Sequence, residues 1–239
     1  MSFQSFTNDP KAYLLVHQMK IAGFTGAIPS TAITELQKTA NASGGYSYQY
    51  SHVGNVQMVV PANFHNVTGV GAKDNLSMLK GLMGVQNKRL VNFQVQAGGA
   101  TPGVRYLPWK PADVTFMELD GAATLALTGP LQGCTLGVVR HQTTGTLWFF
   151  HANVGDAGGV NNMNRAVKRD KIRAAGALVG ITNAAQYFFC QYGQVPAFDY
   201  EGWGFVWGHI SGGNWKFYVH AISPGNNVNT TTNKKWAQL

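Results

Sequence analysis

The stretch LQGCTLGVVRHQTTGTLWFFHANVG, residues 131–155, decides the fold. Two runs rich in β-branched and aromatic residues, 134–140 and 146–151, flank the polar segment 141–144. Apolar runs of this length on both sides of a short polar turn are typical of a β-hairpin. The sequence therefore predicts two adjacent antiparallel strands at the centre of the chain.

The hairpin brings a cysteine and a histidine together. With a four-residue loop, Arg140 lies opposite Gly145. Cys134 then lies opposite His151, with Cβ atoms about 4.5–5.5 Å apart on one face. If the sum of the paired residue numbers changes by two, Cys134 and His151 stay on that face as diagonal neighbours. A shift by one places them on opposite faces.

The rest of the chain is also rich in strand-like segments. The 29 glycines and the many Asn, Thr and aromatic residues favour short strands joined by tight turns. Strands are expected at 55–60, 89–96, 113–119, 124–128, 186–192, 204–210 and 215–222, with a Gly-Pro turn at 129–130. Since strands do not alternate regularly with helices, we expect an α+β fold, a central mixed or antiparallel β-sandwich flanked by helices.

Helical segments are fewer. Asn8 or Asp9 provides a cap, Pro10 suits a first turn, and Gly23 is a stop signal for a helix between them. Further helices are expected at 30–40, 74–83 and 163–179. No linker, charge block or repeat divides the 239 residues, so we expect a single domain, 1–239, with a loosely ordered tail at 228–239.

The charge distribution is uneven. The net charge of +8 reflects few acidic residues, and five basic residues fall between Arg165 and Arg173. We interpret them as a solvated helix face, with an acidic partner, a membrane surface or nucleic acid as alternatives. Two cysteines are too few for a disulfide scaffold. No classical signal peptide is visible and no run approaches the ~18 apolar residues of a membrane span, so we expect a soluble protein.

The spacing of polar groups near Cys134 favours nucleophilic chemistry. A free thiol is only a few per cent thiolate at neutral pH, so an attacking cysteine needs a base, which His151 supplies. Thr128, six residues before the cysteine, is placed to accept from the imidazole. Gly133 has no side chain to block the backbone beside the sulfur. The amide of Cys134 and a neighbouring amide, such as that of Gly133, can donate hydrogen bonds to an oxyanion.

A structural reading competes with this one, because buried cysteines and satisfied histidines are common in strands. His141 competes as the base but belongs to the predicted turn, where a solvated role is expected. Cys190, within QYFFCQY, has no preceding glycine and no nearby histidine, so we expect a core residue. The remaining histidines show no metal-ligand spacing, and no metal site is expected.

Together these residues resemble a known family. Thr128, then Leu-Gln-Gly-Cys at 131–134, then a strand ending on His151, resembles the Leu-Ser-Gly-Cys signature of Burkholderia lethal factor and its relatives. Those relatives include the catalytic domain of cytotoxic necrotizing factor and the chemotaxis receptor deamidase. The match covers about a tenth of the chain. Gln132 replaces the signature serine, the interval from cysteine to histidine is longer, and Ala-Asn follows His151 instead of Thr-Gly.

The resemblance implies a β-sandwich enzyme that converts a glutamine side chain of a host protein to glutamate. Cys134 is the implied nucleophile, His151 the general acid/base and Thr128 the residue that orients the imidazole. No metal or organic cofactor is implied. The implied setting is that of a monomeric bacterial toxin or effector acting in the host cytoplasm, on a translation-factor helicase or a Rho-type GTPase.

Three other functions remain open from the residues. A transglutaminase and a cysteine protease use the same nucleophile. A non-catalytic sandwich that binds carbohydrate or nucleic acid is the third, although nucleic acid is disfavoured because no RNA-recognition signature is present. The loops 102–111 and 198–205 are aromatic and turn-rich, and we expect them to rim a substrate pocket through Tyr106, Trp109, Tyr200 and Trp203.

Overall fold

The computed structural model is mostly β-sheet with few helices. It describes residues 6, 8–24, 34–40, 46–50, 56–59, 89–97, 103–107, 109, 113–153, 165–183, 186–193, 197–224 and 229–239. The helices are α1 (Pro10–Val16) and α2 (Arg165–Ala177). The strands are β1 (His17–Phe24), β2 (Thr34–Ala40), β3 (Tyr46–Tyr50), β4 (Val56–Val59), β5 (Arg89–Ala97), β6 (Val104–Leu107), β7 (Asp113–Leu119), β8 (Leu125–Leu131), β9 (Thr135–Arg140), β10 (Leu147–Asn153), β11 (Phe188–Gln191), β12 (Trp203–Ser211), β13 (Asn214–Pro224) and β14 (Asn229–Gln238).

The two larger sheets are mixed. The strand order is β11-β9-β10-β7-β3-β2 in the six-stranded sheet and β14-β13-β12-β8-β6 in the five-stranded sheet, and β1-β5-β4 form a smaller sheet. In the six-stranded sheet β3 runs parallel to β7, and in the five-stranded sheet β6 runs parallel to β8. Their other described neighbours are antiparallel.

The two larger sheets share one hydrophobic core. Leu136 and Phe149 contribute to it from the six-stranded sheet, and Val206 and Phe217 from the five-stranded sheet. The rings of Phe149 and Phe217 are 5.5 Å apart between centroids. Because burial of each such side chain contributes about 1.5–3 kcal/mol, the shared core fixes one sheet against the other.

Helical segments cover the outer faces of both sheets. On the six-stranded sheet, Ile172 of α2 packs in one cluster with Phe150. On the five-stranded sheet, the ring of Phe6 contacts Trp207, with centroids 6.2 Å apart. Phe6 also contacts Tyr13 of α1. Each large sheet is therefore buried on both faces in these regions.

Burial on both faces explains the composition of β10, which is apolar at nearly every position. Leu147 and Phe149 belong to the shared core, and Trp148 and Phe150 belong to the cluster with α2. Since side chains alternate along a strand, the next position, His151, faces the shared core. A polar ring thus ends an inward row of apolar residues.

β9 and β10 form the predicted hairpin, but the register differs by two residues. Arg140 pairs with Leu147 and not with Gly145. The predicted four-residue loop is too short, because the amide of His141 donates to the carbonyl of Thr146 at 2.7 Å and closes a wider turn. This shift is the one that keeps positions 134 and 151 on the same face.

Most of the other predicted strands are present. The segments predicted at 55–60, 89–96, 113–119, 186–192, 204–210 and 215–222 correspond to β4, β5, β7, β11, β12 and β13, and the helix predicted at 163–179 is α2. The Gly-Pro turn at 129–130 is wrong. Gly204 pairs with Leu131 and Val206 with Thr128, so a β-bulge accommodates the extra residue within β8.

The N-terminal helix is shorter than predicted. Asp9 caps it, since its carboxylate accepts from the amide of Ala12 at 3.0 Å. The helix ends at Val16, and Gly23 lies inside β1, which pairs with β5 in parallel. Pairing with a distant strand overrides the local helical pattern here.

The chain also forms strands where other structure was expected. The helix predicted at 30–40 is wrong, because Thr34–Ala40 is β2. The helix predicted at 74–83 lies outside the described residues. Instead of a loosely ordered tail, Asn229–Gln238 pairs along β13, and its β-branched threonines suit a strand. Ala237 is buried by this pairing.

Candidate active site

A hydrogen bond between the two sheets defines the site. The Oγ1 atom of Thr128, on β8, lies 2.7 Å from Nδ1 of His151, on β10. Both side chains are fully buried. The contact between these two residues, predicted from the sequence, is therefore present.

The direction of this bond follows from the other partner of the threonine. Thr128 Oγ1 donates to the carbonyl oxygen of Leu107, its neighbour on β6, at 2.7 Å. A hydroxyl carries a single proton, so it accepts from His151 at the same time. His151 must then carry its proton on Nδ1, which leaves the lone pair on Nε2. Among the described residues, Nε2 has no hydrogen-bond partner.

Cys134 lies beside this imidazole on the same face. Thr135 pairs with Ala152, and extending that register by one residue aligns Cys134 with Asn153. Since His151 pairs with Leu136, the cysteine and the histidine are diagonal neighbours and not directly opposed. The thiol donates to Asn153 Oδ1 at 3.6 Å. In this resting arrangement the thiol proton points to Asn153 Oδ1, and Asn153 is two residues along β10 from His151.

Burial keeps the thiol of Cys134 and the imidazole of His151 neutral. Desolvation raises the pKa of the Cys134 thiol to about 11, although a hydrogen bond from the Gln132 backbone and the charge of Lys168 oppose the shift. Desolvation lowers the pKa of His151 to about 3, and the charge of Lys168 adds to that effect. At neutral pH the site therefore holds a thiol and a neutral imidazole, not a thiolate–imidazolium pair.

The backbone next to the sulfur is suited to bind an oxyanion. Gly133 has φ of +88°, a conformation that side chains other than glycine rarely adopt. Outside helices and strands, no backbone hydrogen bond between described residues uses the amide of Gly133 or Cys134 as its donor. Two adjacent backbone amides of this kind can donate to one oxyanion.

Two side chains that the sequence did not assign to this backbone hold it in place. The ammonium group of Lys168, on α2, donates to the carbonyl of Gly133. The hydroxyl of Tyr200 donates to the carbonyl of Cys134 at 2.6 Å. Lys168 is only 4% exposed, so the interpretation of the basic segment as a solvated face is wrong at this residue.

The predicted rim residues divide into different environments. Tyr106 and Tyr200 lie in the interior, at 1% and 0% exposure, and so do not form a rim. The hydroxyl of Tyr106 donates to the carbonyl of Gly129. Trp109 is half-buried, and Trp203 begins β12. Aromatic, turn-rich composition did not distinguish a buried anchor from an exposed loop.

The competing histidine and cysteine lie where the sequence predicted. His141 belongs to the β9–β10 turn, and its Nδ1 accepts from the amides of Thr143 and Thr144. Cys190 belongs to the shared core and is fully buried. Neither is hydrogen-bonded to His151 or Thr128 in the described structure.

One more polar residue shares this end of the sheet. Asp113, on β7, pairs with Asn153 and is 2% exposed. Across the described ranges, we find no group of three or more His, Cys, Asp or Glu side chains that could hold a metal ion. No helix in the same ranges is long and apolar enough to cross a membrane.

No protein-family model matches the chain, and no curated protein matches it.

Proposed function

We propose that this protein is a protein-glutamine deamidase, a hydrolase that uses Cys134, His151 and Thr128 to convert a glutamine side chain of a partner protein to glutamate. The hydrogen bonds of Thr128 are the observation that carries the proposal. They fix the imidazole with Nε2 as a free base on the face that also bears the thiol. Nε2 has no hydrogen-bond partner among the described residues, so its lone pair is available to the thiol proton.

The first step is proton transfer coupled to attack. The Cys134 thiol turns from Asn153 Oδ1 toward His151 Nε2 and gives its proton to the imidazole while the sulfur bonds to the carboxamide carbon. Because both groups are neutral at rest, His151 acts as a general base during the attack. Asn153 loses the hydrogen bond from the thiol in this step, and its side-chain amide can then contact the substrate carboxamide.

The second step expels ammonia. The attack has moved the electrons of the carboxamide C=O bond to oxygen, and the amides of Gly133 and Cys134 donate to this oxyanion until the C=O bond re-forms. The imidazolium of His151 returns its proton to the nitrogen as the C–N bond breaks, which leaves a thioester. Water, deprotonated by His151, attacks the thioester, and the thiol is released with glutamate as product. No metal or organic cofactor takes part.

The shared core between the two mixed sheets supports the expectation of a β-sandwich with helices on its outer faces. In that arrangement the site lies between the sheets, where Thr128 of one sheet meets His151 of the other. A glutamine side chain is narrow enough to reach such a site from the surface of a folded partner. We propose as first candidates the translation-factor helicases and Rho-type GTPases of a host cell.

Mass spectrometry of these partners tests the proposal. Each is incubated with the wild-type protein, with Cys134→Ser and with Cys190→Ser, the matched control that alters the other buried cysteine. We expect glutamate in place of one glutamine with wild type and Cys190→Ser, but not with Cys134→Ser. Equal conversion by all three proteins would contradict the assignment. An added primary amine incorporated at the glutamine would instead indicate transglutamination, and backbone cleavage would indicate a protease.

A further inference from the structure

Lys168 occupies an unusual place for a lysine. It is almost fully buried, and its ammonium group reaches from α2 to the carbonyl of Gly133. Lysine is among the residues least often found in the interior, because a buried charge is unfavourable without compensating interactions. Its ammonium group bonds the residue directly before the proposed nucleophile.

Tyr200 makes the corresponding bond on the other side of the nucleophile. Its hydroxyl donates to the carbonyl of Cys134 at 2.6 Å, and the side chain is fully buried. Burial raises the pKa of Tyr200 well above its ordinary value, so the hydroxyl remains a donor. The two consecutive carbonyls at 133 and 134 are therefore each held by a buried side chain from a distant part of the chain.

Holding the Gly133 carbonyl determines where the amide of Cys134 points, and holding the Cys134 carbonyl fixes the peptide that follows. In a trans peptide the C=O and the N–H lie on opposite sides of the C–N bond. With the Gly133 carbonyl directed at Lys168, the Cys134 N–H is directed away from α2. The positive φ of Gly133 permits this orientation, and the amide donates to none of the described backbone carbonyls outside helices and strands.

We propose that Lys168 and Tyr200 are positioning residues for the deamidation, a carbonyl clamp that fixes the peptides on both sides of Cys134, with the Lys168 bond directing the Cys134 amide at the oxyanion. This inference rests on the proposed function. The ammonium charge of Lys168 has a second effect, because a positive charge in a region of low dielectric stabilises both the thiolate and the oxyanion. The basic segment of the sequence thus contributes one residue to the support of the site.

The pH dependence of Cys134 alkylation by iodoacetamide tests the charge without any knowledge of the substrate. Peptide mass spectrometry follows the Cys134 peptide in wild type, Lys168→Met, Lys168→Arg and the control Arg173→Met. Arg173 is on the same helix but pairs with Asp170 in an exposed ion pair. In the described part of the chain, the titratable groups around the thiol are Lys168 from α2, His151 from β10, Tyr200 from the segment before β12, and Asp113 of β7 beside Asn153.

We expect the alkylation midpoint of Lys168→Met to rise by about one pH unit, with about tenfold slower reaction below the midpoint. Lys168→Arg and Arg173→Met should keep the wild-type midpoint. If Lys168→Met does not fold by circular dichroism, Lys168→Gln takes its place under the same criterion. A midpoint that is the same in wild type and in the neutral variant would overturn the role of Lys168.

Deamidation kinetics test the clamp itself. Tyr200→Phe, which loses only the hydroxyl, should lower kcat about tenfold or more with little change in KM. The reason is that the backbone amides supported by Tyr200 donate to the oxyanion in the transition state. An unchanged kcat would overturn the clamp. If wild type deamidates no partner while the alkylation midpoint still depends on Lys168, the proposed function fails and the influence of Lys168 on the thiol stands.

Discussion

The two cysteines of this protein lie in the same hydrophobic core and differ in almost everything else. Cys190 occupies a regular position of β11, opposite Leu136 of β9. Cys134 precedes β9, follows a glycine with positive φ, and has polar side chains around it. Burial alone therefore does not distinguish the proposed nucleophile from a packing sulfur. Backbone conformation and the polar neighbours do.

The electrostatics sharpen this difference. Burial raises the pKa of both thiols. The charge of Lys168 opposes the increase at Cys134, whereas at Cys190 the negative charge of Asp199 adds to the increase and outweighs the opposing charge of Lys234. Cys134 is a diagonal neighbour of the His151 imidazole across the hairpin, whereas Leu136 lies between Cys190 and that imidazole on the same face. The chain thus provides its own control for every experiment on the nucleophile.

The largest expected effect separates the two cysteines by activity. Cys134→Ala should lower deamidation by more than ~10³-fold, because it removes the nucleophile. Cys190→Ala should keep the wild-type rate and lower the free energy of unfolding by about 1 kcal/mol, since it removes only packing. Progress curves and chemical denaturation measure the two quantities. Loss of activity in both variants, with both folded, would remove the distinction.

The next effect concerns the base and its support. His151→Gln should reduce kcat by ~10²–10⁴-fold, the usual contribution of a general base. Thr128→Val should have a smaller effect, because the imidazole remains but loses the acceptor for its Nδ1 proton. It also leaves a buried donor unsatisfied, which costs about 1–3 kcal/mol of stability. If Thr128→Val matched wild type in both kcat and stability, the inter-sheet hydrogen bond would have no role.

His151 should also make the folded protein sensitive to acid. Its pKa is about 3 when folded and 6.5 ordinarily. Below 6.5 the unfolded chain takes up a proton that the folded chain does not, so stability falls as pH falls from 6.5 toward 3, by at most about 1.4 kcal/mol per pH unit. Above 6.5 this contribution is constant. The free energy of unfolding, measured by denaturation at a series of pH values, should differ between wild type and His151→Gln by a constant amount above pH 6.5 and by a changing amount below it. A constant difference at every pH would contradict a buried neutral imidazole.

The smallest effect is a difference in thiol chemistry. Alkylation of Cys134 should be slow at neutral pH and should still increase above pH 9, because its pKa is about 11. Cys190 should react more slowly than Cys134 at each pH, since its burial is complete and Asp199 opposes ionisation. Peptide-resolved mass spectrometry of one alkylation series measures both. A plateau for Cys134 below neutral pH would indicate a preformed ion pair.

Local patterns in the sequence predicted the centre of the molecule well. The runs around 134–140 and 146–151 form the hairpin, and the alternation of side chains brings Thr128 and His151 into contact. The predicted register differs from the observed one by two residues, because the hydrogen bond of the His141 amide to the Thr146 carbonyl depends on turn geometry that composition does not specify. The period of two nevertheless kept the cysteine and the histidine on one face.

The support of the site could not be predicted in the same way. Lys168 and Gly133 are 35 residues apart, and Tyr200 and Cys134 are 66 apart. A basic run indicates a solvated helix face until the sheet that packs under the helix is known. An aromatic loop likewise does not show which tyrosine is buried. Contacts of long sequence separation, such as the pairing of β14 with β13, account for the other errors.

Nitrogen NMR of histidine-labelled protein at neutral pH tests whether His151 Nε2 is a free base, because nitrogen shifts and couplings to the ring protons distinguish the tautomers of His151. The Thr128 hydrogen bonds predict a neutral ring with its proton on Nδ1 and a bare Nε2, and a change of this signal in Thr128→Val. A ring protonated on Nε2, or on both nitrogens, would leave no base for Cys134 and would contradict the account.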